Sequence, residues 1–121
     1  MIGAPASLYA RLMQCYDLYG TKTLSITELR DAIESALTIR FSPHDSVYYG
    51  GEYFRAGEVG GEELVIQLNT FEYGGSIEVA EPDHRGYPVI FWVAWTERGD
   101  ELRERLATIG ELDFLRRKLR R

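Results

Sequence analysis

The sequence predicts an α+β fold in one domain spanning 1–121: an N-terminal helix pair, an antiparallel β-meander and a C-terminal βαβ unit, with a single sheet packed by helices. Three observations carry this. Apolar residues recur at helical spacing before residue 38 and again after residue 100. Between these segments the pattern changes to short alternating runs punctuated by glycine pairs. One run, Pro88–Trp95, is apolar without alternation, as expected of a central strand covered on both faces.

The elements follow in order. Leu8, Leu12, Cys15 and Tyr19 fall on one stripe and predict a helix over Ala6–Tyr19, with Pro5 near its start and Gly20 after its end. Ser25-Ile26-Thr27-Glu28 is a capping box that opens a second helix to about Leu37, with Leu29, Ala32, Ile33, Ala36 and Leu37 inward. Two helices joined by so few residues predict an antiparallel pair. Val47–Tyr49 and Glu52–Arg55 flank Gly50-Gly51, which supplies the positive φ of a tight two-residue hairpin. Glu63–Asn69 alternates, giving one buried and one wetter face. Residues 70–86, rich in Gly, Glu, Asp and Pro, read as a long exposed loop with a short strand at Ser76–Val79. Asp100 or Thr96 caps a third helix through Ile109, with Leu102, Leu106 and Ile109 inward, and Leu112–Leu119 forms a last strand. Strand, short helix and strand in about 30 residues predict a parallel βαβ crossover.

Composition narrows the class of function. A chain with 45% apolar residues and 27% charged residues is globular rather than disordered. Its single cysteine, Cys15, allows no internal disulfide and reads as a buried thiol. No basic region followed by a long apolar run opens the chain, and the longest apolar run is about half a membrane-spanning helix. A cytoplasmic protein without membrane contact is therefore expected. The net charge of −5 is unevenly spread. Residues 41–84 hold nine acids (Asp45, Glu52, Glu58, Glu62, Glu63, Glu72, Glu78, Glu81, Asp83) against one base, Arg55, a balance of −8. This region repels nucleic acid and attracts basic partners. Five bases stand among the last six residues, Arg116–Arg121, and read as a solvated end; nucleic-acid contact through them is the weaker alternative.

No complete catalytic or metal motif is present. Neither glycine pair starts a helix or is followed by a lysine at P-loop spacing. Asp17–Glu28 has an acid first and a glutamate twelfth, but Tyr19 and Thr21 stand where calcium ligands are needed and Lys22 replaces the turn glycine. No serine lies in a G-x-S-x-G elbow. Pro43-His44-Asp45 and Pro82-Asp83-His84-Arg85 place both histidines in similar loops. They read as solvated or turn-capping residues, with an acid–base couple as the alternative. No metal or cofactor is expected.

The aromatics among the acids are less easily explained by packing alone. Tyr48, Tyr49, Tyr53, Phe54, Phe71 and Tyr73 lie in or beside the acidic region, and adjacent strand residues point to opposite faces. Tyrosines with carboxylates suit a basic protein surface, the rings anchoring and the acids steering. Ordinary cross-strand packing competes with this reading. The candidate partner-binding residues are Tyr48, Tyr49, Glu52, Tyr53, Glu58, Glu62, Glu63, Glu72, Tyr73, Glu78, Glu81 and Asp83.

In its shortness, acidity, cysteine poverty and lack of a catalytic set, the chain resembles the bacterial immunity proteins that neutralise polymorphic or contact-dependent toxins. Glu52–Gly57 and Thr96–Arg103 also look like segments of small bacterial proteins. The resemblance implies a non-enzymatic module that binds a cognate toxin one-to-one and blocks its basic active surface. It transfers no site residues. The alternative expectation is a small enzyme or ligand-binding domain using His44, His84 and nearby acids in a pocket between helices and sheet.

Overall fold

The computed structural model describes residues 13–58 and 60–120. They form strands β1 (Gln14–Thr21), β2 (Ser42–Ser46), β3 (Gly51–Gly57), β4 (Glu63–Leu68), β5 (Thr70–Tyr73), β6 (Ser76–Val79), β7 (Val89–Thr96) and β8 (Asp113–Arg120). The helices are α1 (Ile26–Leu37) and α2 (Gly99–Leu106), with 3-10 turns at Val47–Tyr49 and Pro82–His84. Six strands make one sheet in the order β2-β3-β4-β7-β1-β8, every neighbouring pair antiparallel. β5 and β6 form a separate hairpin. The mixed α+β class is as expected. No helix among the described residues is long and apolar enough to cross a membrane.

The predicted N-terminal helix is corrected. Residues 14–19 belong to β1, while 6–12 lie outside the described residues. Cys15 and Tyr19 are four apart, and an even separation also places two residues on one face of a strand. Cys15, Asp17 and Tyr19 alternate with Tyr16 and Leu18, and β7 and β8 pair with both edges of the segment. Tertiary pairing overrides the local helical spacing. This strand also splits the expected βαβ unit. β7 and β8 run parallel, since each is antiparallel to β1, but β1 lies between them. The strand–helix–strand succession is present; the direct parallel pairing is not.

α1 starts as its sequence dictates. The Ser25 hydroxyl accepts from the Glu28 amide at 3.1 Å, and the Glu28 carboxylate accepts from the Ser25 amide at 2.9 Å. Leu29, Ile33 and Leu37 form its buried stripe. α2 presents Leu102 and Leu106, and the two helices lie against each other on one face of the sheet. Tyr19, Phe91, Ile66 and Phe54 stand in register across four strands on that face. All four are buried, and each apolar side chain so removed from water contributes roughly 1.5–3 kcal/mol. The opposite face carries the row Leu18, Trp92 and Val65, beside Ile90 and Gln67. There Trp92 stacks on Tyr16 with centroids 5.7 Å apart and donates its indole N–H to Gln67 Oε1 at 2.7 Å. Both faces of the central strands are therefore occupied, including the face of β4 expected to be wetter.

Two connections differ from expectation. The β2–β3 hairpin exists, but Val47–Tyr49 is its turn rather than a strand. Ser46 Oγ accepts from the Tyr48 amide at 3.3 Å, and Gly50 follows at φ +83°. A serine-initiated turn closed by left-handed glycine outcompetes the two-residue form. The 70–86 excursion is more ordered than a loop, because β5 and β6 pair from Thr70–Val79 to Tyr73–Ser76. Asn69, buried at its root, holds both ends. Its amide donates to Pro88 O at 2.9 Å, and its carbonyl accepts from the Ala80 amide at 2.7 Å. Its side chain accepts from the Glu81 amide and donates to His84 O, both at 2.9 Å.

Candidate functional site

The turn Val47–Tyr49 is seated on the junction of β4 and β5. A Cβ at Gly50 would stand 2.7 Å from Thr70 O and 2.9 Å from Leu68 Cβ, so only glycine permits this approach. The seat brings the turn against the β5–β6 hairpin, and the Tyr48 and Tyr73 rings meet with centroids 5.6 Å apart. Five large hydrophobic side chains among the described residues are strongly exposed, and four of them lie here: Val47, Tyr48, Tyr73 and Ile77. Between turn and hairpin runs an open groove of about 530 Å³, lined by Asp45, Val47, Gly50, Gly51, Leu68, Thr70, Phe71, Glu72 and Ile77. Asp45, Glu52, Glu72 and Glu78 are exposed on these same strands.

The twelve candidate residues separate into two groups. Tyr48, Tyr73 and Glu72 are gathered at the groove or beside it, and Glu52 and Glu78 stand exposed on β3 and β6. Glu58 and Asp83 are exposed on other segments. The remainder do structural work. Tyr53 is buried, with Tyr49 packed on it at a centroid distance of 4.1 Å. Glu62 accepts from Arg98 Nη2 at 2.8 Å and from Thr96 Oγ1 at 2.6 Å. Glu63 lies 3.1 Å from Arg55 Nε, an ion pair without hydrogen-bond alignment at that nitrogen. Glu81 lies 3.0 Å from Arg116 Nη1. Three of the nine acids are thus neutralised within the chain, and six remain exposed: Asp45, Glu52, Glu58, Glu72, Glu78 and Asp83.

The basic end is likewise committed. Arg117 forks onto buried Asp17 at 2.8 and 2.9 Å and reaches Asp100 at 2.7 Å. Arg120 bonds Gln14 and lies 3.7 Å over the Trp95 ring. The expected solvated end is the edge strand β8 from Asp113 to Arg120, and its arginines at 116, 117 and 120 already have acceptors.

Several ionisable groups with shifted pKa lie in the packed regions. Hydrogen bonds from Arg98 hold the Glu62 carboxyl below its ordinary range, with Thr96 adding to the effect against partial burial. Burial pushes the Cys15 thiol up to about 11 and the Tyr16 phenol up to about 12, and raises Tyr19 as well. None of these lines the exposed groove. His44 stacks on Tyr53 at 5.3 Å from the edge strand β2, while His84 faces Tyr87 from the second 3-10 turn. No group of three or more His, Cys, Asp or Glu among the described residues is arranged to hold a metal ion.

The candidate residues omitted Val47, Phe71 and Ile77, although Phe71 stood among the aromatics noted beside the acids. Ile77 carried a signal, being an isolated large apolar residue in a stretch of glycines and acids. No protein-family model matches the chain, and no match was found among curated proteins or solved structures.

Proposed function

We propose that this protein is a non-enzymatic binding module that docks a basic protein through the turn Val47–Tyr49 and the β5–β6 hairpin. The supporting observation is that, among the described residues, four of the five exposed large hydrophobics cluster near exposed acids with no ion-pair partner. Aromatic anchors within a charged rim are the usual composition of a protein interface, and the acids accelerate encounter with a positive partner. In keeping with the resemblance to immunity proteins, the partner is a toxin whose basic active surface is covered. Inhibition is steric, and the chain contributes no chemistry of its own.

The test uses the full chain as bait at low and high salt, beside the variants Tyr48→Ala and Asp45→Lys/Glu72→Lys. A partner retained by the native chain, lost from both variants and weakened by salt supports the reading. Co-expression of that partner should arrest growth, and the native chain should relieve the arrest. Capture that is indifferent to both variants refutes it. Glu62, Glu63 and Tyr53 are unsuitable probes, because changing them breaks ion pairs or core packing.

A further inference from the structure

Five of the described aromatic rings carry one of the chain's own cations. Lys22 lies over Tyr87, Arg30 over Phe54, Arg55 over Tyr53, Arg103 over Phe114 and Arg120 over Trp95, at 3.7 to 5.7 Å from the ring centroids. None of these five rings is fully exposed. Tyr48 and Tyr73, 57% and 55% exposed, have no described cation over them. Nor can their own region supply one. Arg55 is the single base of residues 41–84, and it is engaged with Glu63 and Tyr53.

The groove beside these rings has complementary chemistry. Leu68, Phe71, Val47 and Ile77 offer apolar walls, and Asp45 and Glu72 add carboxylates. Tyr48 and Tyr73 do not line the groove itself: they follow Val47 and Glu72 in sequence, and their rings pack on each other beside it. A long side chain with an apolar stem and a cationic head suits such a place, and arginine's planar head also stacks on aromatic faces and bridges carboxylates. We propose that the groove between the turn Val47–Tyr49 and the β5–β6 hairpin is a receptor for an arginine side chain on an extended segment of the partner. The stem lies against Leu68 and Ile77, and the guanidinium meets the carboxylates of Asp45 and Glu72. This rests on the binding-module reading above and specifies its anchor.

The experiment titrates the isotope-labelled full chain with acetyl-Gly-Arg-Leu-Arg-Gly-amide, followed by NMR. A twin peptide carries citrulline, which keeps arginine's shape without its charge. Saturable shifts should centre on Val47, Glu72 and Ile77, and the citrulline peptide should bind roughly tenfold more weakly. Glu72→Gln and Asp45→Asn should each cost roughly two- to fivefold in affinity, and Tyr73→Ala, outside the groove lining, less than either. All three side chains are exposed, so the fold survives these changes. No saturable shift, equal binding of the citrulline peptide, or shifts centred near Glu97 and Glu101 would each overturn the proposal. Its failure is separable from that of the broader reading. If salt-sensitive capture still depends on Tyr48 while the peptide does not bind, only the arginine receptor falls. If the peptide binds as expected and no protein is captured through this surface, only the partner-docking role falls.

Discussion

The two ends of the sheet use the same residue types in opposite ways. Around β1, β8 and the start of α2, charge is folded inward: Asp17 is 1% exposed and doubly bonded to Arg117, and Glu62 is held by Arg98 and Thr96. Around β2, β3 and the β5–β6 hairpin, carboxylates face solvent and rings stand uncovered. A carboxylate beside an arginine fixes the fold; a carboxylate with no base in reach is available to another molecule. Charge totals cannot distinguish these roles, because pairing across long sequence separations decides them.

The largest expected effect tests the inward end. Asp17→Ala leaves the Arg117 guanidinium without its main acceptor and should lower stability by about 3 kcal/mol, measured by urea denaturation. Asp100→Ala, at the exposed end of the same network, should change it by no more than ~0.5 kcal/mol. Equal losses would erase the distinction between buried and exposed pairing. Next is Asn69→Ala, which strands the Glu81 amide and the His84 carbonyl and should cost about 2 kcal/mol.

The pH dependence also belongs to the inward end. Because the Glu62 pKa is lowered in the folded protein, its contribution is present above the ordinary carboxylate pKa and fades as pH falls through the folded value. Glu62→Gln should therefore flatten the acid side of the stability profile. Cys15 and Tyr16 are raised, so the folded state resists their ionisation. Their contribution is intact below the ordinary thiol and phenol values and declines as pH rises towards about 11 for Cys15 and about 12 for Tyr16. Thermal melts across that range should show Cys15→Ser reducing the first part of the decline. The smallest stability effect is expected at the outward end, where Tyr48→Ala and Tyr73→Ala should shift stability by no more than ~0.5 kcal/mol while weakening partner capture. Large destabilisation by either would recast those rings as packing.

Much of the fold was legible where local chemistry dominates. Ser25 and Glu28 announced α1, the unbroken Pro88–Trp95 run announced the central strand, and Leu102 and Leu106 announced the buried stripe of α2. β1 was not, because Cys15 and Tyr19 satisfy helix and strand alike and its pairing partners lie about 75 and 100 residues away. At the candidate site, Tyr48, Tyr73 and Glu72 were legible from composition. Glu62, Glu63 and Glu81 looked identical to them, since nothing local signals that Arg98, Arg55 and Arg116 would arrive. The burial of Tyr53 was not legible for a similar reason: which side of β3 is covered depends on β2 and β4.

Asn69 has a bearing on how such a surface could change over time. With all four of its polar groups bonded to residues 80–88, one side chain and its own peptide units close the base of the hairpin. The residues beyond that closure can vary in length and sequence without disturbing the register of β4 with β7. The hairpin thus behaves as an exchangeable cassette on a fixed frame. A hairpin of different sequence, spliced between Asn69 and Ala80, should leave the frame folded and redirect what it recognises.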